Sequence, residues 1–480
     1  MGQLSGHSRT FFTPRQVSTD QVIEYGMTQY QIYWELDKEE EPSKFYVKPF
    51  YQHSMDAQDM ARYFLPCNNI EIRIQQNGLG DVCSAWVDLL GPYVEDEDEG
   101  TIALTNYAST YTLEPVRITY GVNFQWYMDL SRALPHTWLS INTAAVQASH
   151  ALNLQECGGN IGVENNIRNA CDAFDNGEWR AGRIYRGKFT ACGLDDIQVK
   201  VGYDFTHTDR THCGIYGIAS IPTGHEIPVR YIFEPFVGSQ HAGLGFGVHY
   251  DRKLREHNKC SLTLLLDARY RYMFSAWEQR LFDLCSNGDW SRYLQVVTGS
   301  AFLEPKPLIN NLYFDTKVRP RSTIDLWGAL HYEHRGFNLE VGYNFWWRAS
   351  EKGTVCGCFP SDYAIYNLSG GCSPTFTCAP TANISQGADG TNAVVSSTDC
   401  TTLTFSDIDI NSGLHPTCFT HKFYGGISYQ GRHNNFPTFI GVGASGEISP
   451  SRRGDSSCCV IKKKNAFGQW AVWLALGGNF

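Results

Sequence analysis

The residues best placed to do chemistry in this chain are charged side chains that recur at alternate positions in otherwise apolar runs. Arg117, Lys200, Arg230, Arg269 and Arg271 supply the positive charges, and Asp204, Glu234, Asp267, Asp325 and Glu340 the negative ones. Lining a polar lumen, opposite charges on facing walls would set a transverse field, and their near balance predicts weak overall ion selectivity. The blander reading is internal salt-bridge packing in a closed barrel, because inward polarity alone does not make a pore. Covalent chemistry has no comparable pattern. Gly443-Ala444-Ser445-Gly446 lacks the glycine spacing of a nucleophile elbow, and His225-Glu226 lacks the second histidine of a zinc-protease helix. The expectation is therefore a non-enzyme with neither metal nor cofactor.

Thiols are the other reactive group. Sixteen cysteines are more than a reducing compartment usually maintains, so an oxidising envelope or exterior is expected. Cys356, Cys358, Cys372, Cys378, Cys400 and Cys418 fall in a Ser-, Thr-, Gly- and Asn-rich stretch over residues 349–420. Disulfides there would limit the freedom of a long loop, typically by about 2–4 kcal/mol each. Cys458 and Cys459 are adjacent, a spacing that strains a mutual bond, so each needs its own partner and one could join neighbouring molecules. Cys356-Gly357-Cys358 has no companion pair to complete a zinc site.

The elements that would position the charges are strands with two different faces. Val116, Ile118, Tyr120, Val122, Phe124 and Trp126 alternate with Arg117, Thr119, Gly121, Asn123 and Gln125. The pattern returns over 197–205, 262–274, 324–332 and 337–347, with Leu265 and Met273 as breaks on the polar face and a hairpin turn at 333–336. Fainter runs lie near 44–53, 70–75, 137–147, 213–221, 229–237, 242–251, 293–303, 421–430 and 437–447. Runs of about 9–11 residues ending in rings suit strands that cross a bilayer. The fold expected is an all-β, transmembrane antiparallel β-barrel of roughly 16 strands with long extracellular loops. A soluble two-sheet protein, its apolar faces turned to a core, is the alternative.

The composition fits. Aromatics make up 14% of the chain and glycines number 45, and no apolar window approaches the roughly 18 residues of a spanning helix. A net charge of −10 argues against nucleic acid as a partner. Glu95-Asp96-Glu97-Asp98-Glu99 and Lys462-Lys463-Lys464 read as solvated loops. No secretory signal is visible at the start, so a removed leader is expected. Residues 1–42 show no sustained period and are assigned to an N-terminal segment, periplasmic or lumen-associated, with the barrel over 43–480 and long loops at about 149–182 and 349–420.

The final run alternates Trp470, Val472, Leu474, Leu476, Gly478 and Phe480 with Gln469, Ala471, Trp473, Ala475, Gly477 and Asn479. This ending resembles the terminal strand of bacterial outer-membrane β-barrel proteins, although Gly478 stands where a bulky apolar residue is preferred. The resemblance implies that Trp470, Val472, Leu474, Leu476 and Phe480 are read by the barrel-assembly machinery. The cysteine count resembles the cysteine-rich major outer membrane porins of chlamydia-like intracellular bacteria. By that resemblance the chain is expected to be an abundant porin at the cell surface, passing small hydrophilic solutes, in contact with outer-membrane lipid and a homo-oligomer, as porin trimers are. The alternative is a disulfide-stabilised structural or adhesive coat protein without an open pore.

Overall fold

The computed structural model describes residues 9–34, 42–66, 70–75, 82–83, 108–158, 174–175, 177–257, 260–285, 289–298, 306–357, 363–369, 375–378, 403–433, 436–450, 452–456 and 459–479. Twelve strands form its frame: β1 (Ser43–Met55), β2 (Val116–Asp129), β3 (Thr137–Ala151), β4 (Ile197–His207), β5 (Thr211–Ile221), β6 (Gly243–His257), β7 (Cys260–Met273), β8 (Arg321–His334), β9 (Phe337–Arg348), β10 (Cys418–His433), β11 (Phe436–Ile448) and β12 (Gly468–Asn479). Each pairs antiparallel with its sequence neighbours. β12 closes the ring on β1, from Lys44↔Asn479 to Met55↔Gly468. A further strand, Lys188–Leu194, pairs with the upper half of β3 and stands outside the ring.

The expected count of about 16 is thus corrected to twelve. Residues 71–75 and 295–298 are strands of separate small sheets. Residues 229–237 are not a strand: Pro235 has no ladder donor and Phe233 takes a positive φ of 62°. The run is apolar because Ile232, Phe233 and Phe236 are buried, which alternation alone does not distinguish from a strand.

The two ends of the barrel differ. Hairpin turns join β2 to β3, β4 to β5, β6 to β7, β8 to β9 and β10 to β11 at one end, while the other end carries long connections, from 449–467 up to 349–417. At the expected β8–β9 hairpin, Arg335 and Gly336 have φ of 52° and 84°, the two left-handed positions that a two-residue turn needs to match strand twist. The expected single loop over 349–420 is instead broken up by strands Lys352–Cys356, Tyr363–Ser369 and Thr375–Cys378. At this end Phe64, Phe174, Trp179, Trp290, Tyr293 and Leu308 share one buried apolar core. We call this layer the crown.

Apolar side chains on the strands point outward. Leu244, Phe246 and Val248 on β6, Phe337, Leu339 and Val341 on β9, and Ile440 and Val442 on β11 are all exposed, Phe337 at 66%. No second sheet covers them among the described residues. Leu265 and Met273, which broke the polar face of β7, are buried inside.

Candidate functional site: an occupied lumen

A ring of twelve strands is wider than the eight whose own side chains fill the bore, and narrower than the 16 to 18 that leave a water channel. Here the difference is made up by the chain itself. Residues 9–34 run through the barrel from the crown to the hairpin end, carrying two short helices, α1 (Gln21–Tyr25) and α2 (Gln29–Trp34). At the crown, the Arg9 amide donates to the Tyr63 carbonyl and Thr10 Oγ1 donates to the carbonyl of Leu281 at 2.5 Å. At the hairpin end, Trp34 stacks on His212 with ring centroids 4.1 Å apart and Tyr30 stacks on His331 at 4.2 Å.

Between these limits nearly every turn of the segment meets a charged wall residue. Arg15 pairs with Asp325 at 3.0 Å and lies 3.6 Å from both Asp20 and Glu447. Asp20 caps α1 by accepting from the Val22 amide and pairs with Lys422, which also holds Glu447 at 2.9 Å. Gln21 donates to Asp267 at 2.5 Å. Glu24, fully buried, lies between Lys200 and Arg269, the latter at 2.9 Å. The Met27 amide donates to Glu340 at 2.8 Å.

Lys48 of β1 explains where α1 stops. Its Nζ donates to the carbonyls of Ile23, Glu24 and Gly26 at 3.0, 2.6 and 3.2 Å. A cation at a helix C-terminus satisfies the last carbonyls and opposes the helix dipole. Aromatic wall residues close the gaps. Tyr424 faces Gly342 and Trp473 faces Gly443 across adjacent strands, and a Cβ on either glycine would fall 2.3 or 2.4 Å from the opposing ring. Glycine there lets the rings lie flat against the wall and leaves room for Val22, Tyr25 and Met27, which share their buried cluster.

Eight of the ten residues singled out from the sequence are therefore buried inside the barrel: Arg117, Lys200, Asp204, Asp267, Arg269, Arg271, Asp325 and Glu340. Asp204 accepts from Trp138 Nε1 at 3.0 Å and lies 3.2 Å from His249. Arg230 and Glu234 are corrections. They sit on the connection between β5 and β6, where Arg230 lies exposed over the Tyr231 ring. The open lumen expected of a porin is also corrected, because residues 9–34 occupy it. Asp20, Glu24 and Arg15 were missed because their segment has no period of its own. Lys48, Lys422 and Glu447 were legible: each alternates with outward apolar residues in a run that reads as a strand.

Trp470, Val472, Leu474 and Leu476 all face outward on β12, while Phe480 lies outside the described residues. Among the cysteines expected in disulfides, Cys356 and Cys418 carry free thiols. Cys418 is buried against Trp346 and Ala466 and bonded to Arg348, whereas Cys356 ends an exposed strand paired to Asp315. Cys358, Cys372, Cys400 and Cys458 lie outside the described residues, as do the side chains of Cys378 and Cys459.

Electrostatics in the crown are organised around Arg280, which pairs with Glu278 at 2.7 Å and Glu351 at 3.2 Å. Burial alone would raise both carboxyls, but Arg280, joined by His241 at Glu278 and by Arg348 and His415 at Glu351, holds both below their ordinary value. His415 is the reverse case. Burial and the neighbouring Arg348 push its imidazole well below its usual range, so it is neutral, with Nδ1 donating to the Pro416 carbonyl at 2.8 Å.

No protein-family model matches the chain, and no curated protein matches it in sequence. Among solved structures it is similar to an outer membrane channel from Pseudomonas putida F1, at 9% identity and a TM-score of 0.36 over 92% of this chain and 96% of that one. A Pseudomonas aeruginosa FadL homologue gives 7% identity and a TM-score of 0.33, over 92% and 90%. The beta domain of the Bordetella autotransporter BrkA gives 6% and 0.29, over 92% and 100%. At TM-scores this low, these likenesses carry no argument about function.

Proposed function

We propose that the chain is a bacterial outer-membrane channel for small solutes, held shut by its own N-terminal segment. Support for the membrane comes from the outer face. A closed barrel has no sheet edge to satisfy, and a continuous apolar band on its outside is the face that lipid covers, whereas soluble monomers rarely expose so much contiguous apolar surface. Short turns at one end and long connections at the other accord with a periplasmic and an outer side.

The observation that carries the channel reading is that the bore is filled by one continuous segment instead of by the wall. Withdrawing residues 9–34 would leave a passage lined by Lys48, Asn123, Lys200, Asp267, Arg269, Asp325 and Glu340, a surface suited to hydrophilic solutes. Planar-bilayer recording tests this. The full chain is expected to conduct rarely, and the chain lacking residues 1–34 to give sustained conductance steps, with heat-modifiable gel migration verifying that the shortened barrel has folded. A folded, shortened barrel that never conducts would refute the channel and leave a structural surface barrel.

A further inference from the structure

Beneath the crown, beside the segment that fills the bore, lies a cavity of about 60 Å³. It is several times the volume of roughly 10–15 Å³ that a single water needs by this measure. Three of its lining residues form a row across adjacent strands. Thr323 of β8 stands directly opposite Arg271 of β7 and directly opposite Arg348 of β9. Neighbouring strands lie about 5 Å apart, so the two arginines start about 10 Å from each other with the hydroxyl midway, within reach of a common point above it.

All three side chains are buried, Arg271 at 3%, Arg348 at 5% and Thr323 at 7% exposure. Their donors are not used up. Arg271 Nε, Arg348 Nε and Nη2, and Thr323 Oγ1 have no hydrogen-bond partner. Arg271 makes one long bond, from Nη1 to Gln198 at 3.4 Å, and Arg348 meets the Cys418 thiol and lies 5.9 Å from the centre of the Trp346 ring.

The carboxylates around the cavity are engaged elsewhere. Arg280 holds Glu278 and Glu351, and Glu278 also meets His241 at 2.6 Å. Asp196 accepts from Ser239 through both its amide and its hydroxyl. Of the two other arginines in the lining, Arg280 is taken up by those two glutamates and Arg15 is neutralised by Asp325 at 3.0 Å. Among the described residues no carboxylate lies within the 4.0 Å of an ion pair from Arg271 or Arg348. Glu351 near Arg348 and Asp325 near Arg271 act only from beyond that distance. Two guanidinium ions removed from water, without a directly paired carboxylate and with unused donors at one cavity, are disfavoured unless something negative sits between them.

We propose that Arg271, Thr323 and Arg348 form a binding site for a small inorganic anion, a halide or a compact oxoanion, inside the closed barrel. Planar guanidinium forks suit oxoanions and the hydroxyl adds a third donor. The site is complete with the N-terminal segment in place, so it stands whether or not the bore ever opens.

The test uses the full chain, folded in detergent at constant ionic strength, with sodium gluconate replaced stepwise by chloride, bromide, nitrate or phosphate. At least one of these anions is expected to raise the unfolding midpoint saturably, the folded-to-unfolded ratio growing about 100-fold at 100 times the dissociation constant. The rise should vanish in Arg271→Gln and Arg348→Gln and persist in Arg252→Gln, a residue outside the site. Thr323→Val, which removes one donor while leaving both charges, should weaken the effect if either arginine variant fails to fold. Anomalous scattering from bromide-soaked crystals of the native chain should place a peak between the two guanidinium groups. A midpoint indifferent to anion identity, together with no bromide peak there, overturns the proposal.

Discussion

Substituting Glu24 by Gln removes the single carboxylate that two buried cations share inside the bore. Glu24 is fully buried and contacts Lys200 and Arg269, each with its side chain 1% exposed. Breaking a buried pair by deleting one partner costs about 3–5 kcal/mol, here chiefly because Lys200 is left without a paired carboxylate and cut off from water, while Arg269 keeps Asp267 at 3.7 Å. That cost falls on the state in which the segment occupies the bore, since withdrawal would readmit water to Lys200 and Arg269. With 1.4 kcal/mol per decade, the equilibrium between occupied and vacated bore shifts by roughly 10²–10⁴-fold. Bilayer recording of Glu24→Gln should show open probability rising on that scale, and trypsin should cut after Arg15, now buried, correspondingly faster. Replacing the whole cluster, Glu24→Leu with Lys200→Met, Arg269→Met and Asp267→Asn, the last because Asp267 also pairs with Arg269, should restore closure, because uncharged substitutes for a buried ionic cluster are often neutral or better. Were Glu24→Gln as silent and as trypsin-resistant as the parent, the ion pairs would not be what keeps the segment in place.

Three further outcomes are expected. Val341→Arg puts a charge midway along the outward face of β9 and should cost about 2–4 kcal/mol of folding free energy in vesicles if the site lies near the bilayer midplane; the same penalty in lipid-free buffer would count against a lipid-facing surface. Gly342→Val should drive a side chain into Tyr424, whose ring lies 2.3 Å from the point a Cβ at this glycine would occupy, and overpacking of this kind costs about 1–3 kcal/mol, read as a lowered urea midpoint. His415 has a folded pKa depressed below its ordinary 6.5, so its contribution is present above that pH and is lost as pH falls through and below it, by at most about 1.4 kcal/mol per pH unit. Thermal midpoints from pH 8 to 5 should therefore decline below about 6.5 in the native chain and decline less steeply in His415→Asn, and an equal decline in both would remove His415 as a cause.

The barrel was legible wherever a strand carries exposed apolar side chains on one face and polar neighbours on the other, as in β2, β4, β7, β8 and β9. Even the breaks carried meaning: Leu265 and Met273 are apolar on the inner face because they are buried there. Alternation misled at 229–237, where burial in the crown also produces apolar residues at near-alternate positions, and Pro235 was the available warning. The N-terminal segment was opaque for a different reason. Its partners are remote, Asp325 lying 310 positions from Arg15 and Lys422 lying 402 from Asp20, so its conformation is dictated by a container that local sequence does not describe. The cavity site needed coordinates as well. Arg271 could be read as inward, but only register sets Thr323 and Arg348 beside it.

The seam between β1 and β12 joins Lys44 to Asn479, the beginning of the frame to its end. Since β1 directly follows the lumen segment in sequence, the first strand of the frame must wait for the twelfth before the cylinder can shut around that segment. Loop-closure entropy makes so distant a pairing slow. The segment can then act as a mandrel: by touching β1, β4, β7, β8, β9, β10 and β11 together, it gathers strands that have not yet met their final neighbours, and assembly and occlusion become a single event.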